Sequence, residues 1–239
     1  MHPVILVVGA SGGLGASTLA ALTATVLARD GASTLVDADL GGGGLDTTLG
    51  VEHVDGLRWG DLAEHEGEVD AVGLRGALPC GPVPVLAARG PRPSTATIRS
   101  VATGLATLGP VVVDLPAGRV PQGWRDLADL VVVLVGLRPR WLRDGERLSA
   151  TLGEVSQRSV LVTRGPRRAG TVATRAAEHV GLPLLEHLPD DPGVLRDEAH
   201  GRAPRPRGPA GVVARAVTGS LADGRSATSL HERVLGLAS

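Results

Sequence analysis

Lysine is absent from this 239-residue sequence, and so are asparagine, phenylalanine and tyrosine. All 24 cationic side chains are therefore arginine, against 25 acidic ones, for a net charge of −1. The missing residues, with isoleucine confined to Ile5 and Ile98, are those of AT-rich codons and point to a GC-rich genome. The chemical consequence is independent of that origin: no mechanism that needs a lysine operates here. Near-zero charge argues against a generally basic nucleic-acid binder. A lone cysteine, Cys80, excludes a disulfide framework and a Cys-based zinc site, and fits a reducing compartment. The seven histidines lack metal-ligand spacing. The apolar run 4–8 is too short for a signal peptide, and nothing reaches the roughly 18 residues of a membrane span. A cytosolic protein is expected. Aromatics amount to 1%, so the core must be built from Val, Leu and Ala.

What is present is alternation. Short Val/Leu runs at 4–8, 33–36, 83–87, 110–115, 130–135, 160–163 and 184–186 read as buried strands. Between them lie Ala/Leu/Arg stretches at helical spacing, at 16–29, 95–108, 142–152 and 171–180. Continuous apolar strands separated by helices predict a doubly wound, mostly parallel α/β sheet flanked by helices. The expected organisation is one domain over 1–224, closing with a helix at 210–221, and a tail over 225–239. That tail offers Leu230, Val234 and Leu237 at helical spacing.

Three segments carry chemistry. The first strand runs into Gly9-Ala10-Ser11-Gly12-Gly13-Leu14-Gly15-Ala16-Ser17-Thr18 and then a helix. Glycines there let backbone N–H groups converge on an anion, and the helix N-terminus adds partial positive charge. Ser17 or Thr18 stands where a hydroxyl would ligand Mg²⁺. The spacing does not give a clean G-x-G-x-x-G dinucleotide fingerprint. The second strand ends in Asp37-Ala38-Asp39-Leu40 and four glycines, which suits a switch segment near a terminal phosphate. Val111-Val112-Val113-Asp114 is a hydrophobic strand ending in a carboxylate, placed to hold Mg²⁺ through water.

These blocks, in this order and spacing, resemble the ParA/MinD family of deviant Walker P-loop ATPases, and within it the CpaE/TadZ-type branch. Supporting segments are Gly56-Leu57-Arg58-Trp59-Gly60-Asp61-Leu62, Ala128-Asp129-Leu130-Val131 and Leu188-Pro189-Asp190-Asp191-Pro192, within a likeness spanning about 4–200. The resemblance implies ATP or ADP with Mg²⁺, cradled by Gly12, Gly13, Leu14, Gly15, Ala16, Ser17 and Thr18, with Asp37 and Asp114 nearby. It implies that Asp39 orients the attacking water and that Arg164 and Pro189 flank the base, although Thr163-Arg164 replaces the usual Asn-containing adenine contact. Implied partners are a second copy of the chain and pilus, secretion or cell-division proteins. The implied address is the cytoplasm, with recruitment to the pole, septum or inner membrane face. Proteins of that branch carry a receiver-like domain ahead of the ATPase unit; with a first strand at Val4, that domain is expected to be absent or removed.

Aligned to the family motif K-G-G-x-G-K-[ST]-T, the signature lysine falls on Ser11 and the phosphate-loop lysine on Ala16. Losing one charge-assisted contact costs on the order of 1.5–3 kcal/mol, roughly ten- to a hundredfold in affinity. The loss in the transition state is larger, because charge develops there. The expectation is nucleotide binding with weak or no hydrolysis. Two alternatives stand beside it: a slow Mg-ATPase in which Arg119 replaces the lysine, and a scaffold that binds no nucleotide. Asp46 reads as structural. Arg140, Arg143 and Arg147 share a helical face that could track DNA, against which the net charge speaks. The tail lies where MinD carries its membrane helix but lacks basic density, which allows peripheral membrane contact at most.

Overall fold

Seven strands form one sheet in which every pairing is parallel, in the order β3-β2-β4-β1-β5-β6-β7. The strands are β1 Val4–Gly9, β2 Thr34–Asp37, β3 Val85–Leu86, β4 Val111–Leu115, β5 Leu130–Gly136, β6 Ser159–Gly165 and β7 Leu184–Pro189. The computed structural model describes residues 1–42 and 44–222. The tail expected over 225–239 lies outside the described residues.

The central strands β1 and β5 are apolar throughout because both of their faces are covered, and β4 is apolar up to Asp114. Alternate residues of β1 serve two cores: Val4, Leu6 and Val8 face one, Ile5 and Val7 the other. Helices α1 (Ala16–Leu27) and α2 (Leu45–Leu49) cover the second face, through Leu19, Leu22, Leu45 and Leu49. Helices α3 (Ala71–Gly76), α4 (Thr95–Leu108), α5 (Gln122–Arg125), α6 (Pro139–Leu152) and α7 (Thr171–Val180) cover the first. They do so through residues such as Leu74, Val101, Trp124, Leu148 and Val180. Helix α8 (Pro192–Ala199) follows β7, and α9 (Gly208–Ala222) returns to the second face through Val213 and Val217. The expected doubly wound α/β fold is what forms.

The differences from the sequence expectation have local causes. Helix α6 begins at Pro139 rather than 142, because proline at the first helical position forfeits only an amide that would be unpaired anyway. Strand β3 keeps two residues of the expected 83–87, although Val83 and Ala87 are buried beside it. Helices α2 and α5 have five and four residues, too few for a periodic pattern to show. Among the described residues no helix is long and apolar enough to cross a membrane.

Strand β1 lies between β4 and β5, so successive units wind away from it in opposite directions. The carboxyl ends of β1, β2, β4, β6 and β7 therefore open on one edge, where α/β folds place their ligands.

Candidate functional site

The turn after β1 has the conformation an anion cradle requires. Gly13 (φ 77°) and Gly15 (φ 89°) are left-handed, a region that disfavours any side chain. Gly15 caps α1 with no side-chain hydrogen bond, and the first turn of α1 holds no acidic residue. Its leading amides thus stay available to an anion. Ala10 N–H donates to the Leu134 carbonyl at 2.8 Å, fixing where the loop leaves the sheet. Leu14 turns its side chain into the core at 2% exposure, which pins the middle of the loop. Ala16, Ser17 and Thr18 form the first turn of the helix, half-buried beneath it.

Asp37 and Asp114 are register partners on adjacent strands β2 and β4. Asp37 Oδ1 accepts from the Asp39 amide at 3.0 Å, and Oδ2 from the Leu45 and Ala88 amides at 2.9 and 3.2 Å. Burial nevertheless raises its pKa to about 6, with those bonds pulling downward and the Asp39 charge pushing up. Trp59 Nε1 donates to the Asp37 carbonyl at 2.6 Å. Asp37 is therefore committed to ordering the segment that carries Asp39. Asp114 differs. Its Oδ1 is buried and has no hydrogen-bond partner among the described residues. Burial pushes its pKa to about 7, opposed by the Ser17 hydroxyl and reinforced by the charges of Asp37 and Asp39. An unpartnered buried carboxylate oxygen beside a serine hydroxyl fits a Mg²⁺ shell of water and phosphate, with Ser17 and Asp114 as the protein's part. Among the described residues no three His, Cys, Asp or Glu side chains converge as a cage. Mg²⁺ needs none where phosphates and water complete its octahedron.

Asp39 makes no side-chain hydrogen bond among the described residues, and its carbonyl accepts from the Gly42 amide at 2.9 Å. Arg119 is exposed in the loop after β4, which Gly118 N–H tethers to the Gly9 carbonyl at 2.8 Å. Arg164 ends β6 and pairs with Asp190, Nε and Nη2 both donating to Oδ1 at 3.2 and 3.0 Å. Pro189, register partner of Gly165, ends β7 beside that pair. Arg164, Gly13, Gly15, Thr18, Leu188 and Asp191 share a cavity of about 200 Å³ backed by Leu19, Leu22 and Ala210. A second cavity of about 580 Å³ lies on the other side of Arg164, lined also by Leu14, Arg138, Trp141 and Arg168. The expected site residues thus meet on one edge, with Gly12 at the open lip of the loop, where an added Cβ would meet nothing within 4 Å.

Three side chains that complete these contacts, Asp190, Asp144 and His187, were not singled out from the sequence. Asp190 orients Arg164, and the Ser11 hydroxyl donates to Asp144 Oδ2 on α6 at 2.6 Å. Thr163 is fully buried, and its hydroxyl pairs with His187 Nδ1 at 2.9 Å. His187 Nε2 reaches the Pro166 carbonyl at 3.0 Å, so the ring donates there and accepts the Thr163 proton. Thr163 is therefore spent within the sheet. Of these, only Asp190 had a signal, its place directly after Pro189. Asp46 is structural as expected, in a buried ion pair with Arg58 at 3.1 Å.

No protein-family model matches the chain. It is 33% identical over 208 residues to an uncharacterised protein of Mycobacterium tuberculosis, present in strains CDC 1551 and H37Rv. That alignment covers 83% of this chain and 57% of the relative, so the chain spans little more than half the relative's length. A ParA family ATPase from Chlorobium tepidum superposes with a TM-score of 0.75 at 16% identity, over 90% of this chain and 98% of that one. MinD in the MinC:MinD cell division complex of Aquifex aeolicus gives 0.71 at 18%, over 91% and 96%. The septum site-determining protein MinD of Pyrococcus horikoshii, complexed with Mg-ADP, gives 0.62 at 19%, over 100% and 98%. At these identities the likeness is one of fold: the chain has the ParA/MinD P-loop NTPase architecture.

Proposed function

We propose that this chain is a nucleotide-binding localisation protein of the ParA/MinD kind, of CpaE/TadZ type. It binds ATP or ADP with Mg²⁺ and hydrolyses ATP weakly or not at all. The observation that carries this reading is the unpartnered, buried Asp114 Oδ1 beneath a left-handed glycine cradle. A cradle without ligand has no reason to bury a carboxylate oxygen with nothing to satisfy it. Gly13, Gly15 and the leading amides of α1 would hold the phosphates; Ser17 and Asp114 would hold the Mg²⁺ waters, and the metal would offset phosphate charge. The apolar part of the 200 Å³ cavity, between Leu22, Leu188 and Val194, would take the base. Nucleotide state, or a constitutive homodimer, would present a surface to pilus, secretion or cell-division proteins. MinD of Aquifex, a fold neighbour, forms a complex with the cell division protein MinC.

A slow Mg-ATPase is the second reading, favoured by the Asp39 carboxylate, which makes no hydrogen bond among the described residues, and the exposed Arg119 on its tethered loop. Calorimetric titration with ATP and ADP, with and without Mg²⁺, paired with a phosphate-release assay, separates the readings. Mg²⁺-dependent binding with negligible release supports the first. Turnover abolished by Asp39→Ala and reduced by Arg119→Ala supports the second. No binding at millimolar nucleotide sinks both and leaves a scaffold without a ligand.

A further inference from the structure

With neither phosphate-loop lysine present, some other group must neutralise bound phosphate, and 24 arginines are available. Several are engaged elsewhere. Arg58 is buried against Asp46, and Arg138 lies over the Trp141 ring, 4.7 Å from its centroid. Arg205 is paired with Asp197 at 2.7 Å, and Arg99 with Asp126 at 2.9 Å. Arg164 has a different disposition. Its Nε and Nη2 both donate to Asp190 Oδ1, which fixes the plane of the guanidinium. Its Nη1 makes no hydrogen bond among the described residues and lies 3.4 Å from where a Cβ on Gly15 would stand. Gly15 is the residue that caps α1 and immediately precedes Ala16.

We propose that Arg164, oriented by Asp190, is the phosphate-binding cation of this site and takes over the charge that Ala16 does not supply. The inference rests on the nucleotide-binding reading and names the residue that makes it work. A guanidinium presents donors along two edges; the edge held by Asp190 leaves the other directed at the phosphate loop. The Arg164–Asp190 pair is largely open to water on the aspartate side, at 72% exposure. Such a pair adds little stability, so its effect is to aim the arginine. Arg164 forms the wall between the two cavities and shares the smaller one with Gly13, Gly15 and Thr18. A guanidinium there reaches the loop from the end of β6, whereas a lysine at position 16 would rise from α1 itself. The left-handed Gly15 also leaves Arg164 room, since any side chain there would be strained and would crowd Nη1.

The test is the preference for ATP over AMP, measured calorimetrically at fixed ionic strength on the full chain. Wild type, Arg164→Ala, Arg164→Lys, Asp190→Ala and the double variant Arg164→Ala with Ala16→Lys are compared, with Arg29→Ala as a remote control. Arg164→Ala is expected to weaken ATP about ten- to a hundredfold and AMP far less, so that the ATP/AMP ratio collapses. Arg164→Lys retains part of the ratio and Asp190→Ala loses part of it. In the double variant, Ala16→Lys restores the ratio that Arg164→Ala removes. Arg164→Lys also guards against a fold defect in the alanine variant. Equal losses for ATP and AMP would place Arg164 at the base and overturn the inference, as would an Arg164→Ala protein with wild-type ATP affinity. A ratio that collapses in Arg119→Ala instead would move the charge to that loop. If wild type binds none of these nucleotides at millimolar concentration, the nucleotide-binding reading itself falls, an outcome distinct from the other three.

Discussion

The Ser11 hydroxyl donates to Asp144 Oδ2 at 2.6 Å, joining the glycine-rich loop after β1 to helix α6 across 133 residues of chain. Ser11 stands where the resembled family places its signature lysine, so that position here meets a carboxylate of its own chain. Asp144 is shared with Arg147, 3.7 Å away on the same helix. The loop is thereby anchored at its first residue by a neutral hydroxyl.

That anchoring makes unequal the two positions, 11 and 16, that align with lysines of the resembled family. Ala16→Lys places an ammonium at the start of α1 and is expected to tighten ATP about ten- to a hundredfold by calorimetry. In Ser11→Lys the ammonium meets Asp144 instead, and the affinity of the monomer is expected to stay close to wild type. Equal gains from the two variants would show that Asp144 does not hold residue 11.

Stability should fall as pH rises through the range in which the buried carboxyls ionise. Asp37 and Asp114 are raised from 3.8 to about 6 and about 7 by burial. The folded chain therefore binds more protons than the unfolded chain between about pH 4 and 7, and unfolding becomes easier across that window. Asp197, lowered by its Arg205 partner, acts only below it. Thermal melts of the ligand-free protein are expected to give a lower Tm at pH 8 than at pH 5. Asp114→Asn should flatten that slope and remove the Mg²⁺ dependence of ATP binding; an unchanged slope would exclude Asp114 as the source.

Arg58 and Asp46 form the most deeply buried ion pair among the described residues, with side-chain exposures of 6% and 9%. Arg58 also donates to the Gly56 carbonyl at 2.9 Å and the Val54 carbonyl at 3.1 Å. Arg58→Ala leaves Asp46 buried without its cation and two carbonyls without donors. The expected cost is about 3–5 kcal/mol in urea unfolding. A loss below about 1 kcal/mol, the range of exposed pairs, would mean that water reaches Asp46.

Trp141 packs against Gly136, where an added Cβ would run into the indole ring. Gly136→Ala must displace the indole from the wall of the larger cavity, at a cost of about 1–3 kcal/mol. Intrinsic fluorescence should shift to longer wavelength, since Trp59 and Trp124 stay buried at 1% and 4% exposure. An unshifted spectrum with native stability would show that the indole moves without gaining water.

The amino-acid sequence by itself determined the order of βα units, the glycine turn and the carboxylates that close β2 and β4. These follow from runs of adjacent residues: Val111–Val113 is apolar because both faces of the strand are covered, and Gly13 and Gly15 turn because nothing else adopts their φ readily. It also fixed the absence of lysine, and with it the question of which cation serves the site. Short elements such as Leu45–Leu49 escaped it, being shorter than the period that would reveal them. Only the tertiary structure decided what each polar side chain meets. Asp37 turns to three amides, Thr163 to His187, Ser11 to Asp144 and Arg164 to Asp190. The last three pairs lie 24, 133 and 26 residues apart and are brought together by the register of β6 against β7 and the seat of α6 on the sheet. No local pattern encodes them, because packing forces set those positions and hydrogen bonds then form with whatever stands within reach.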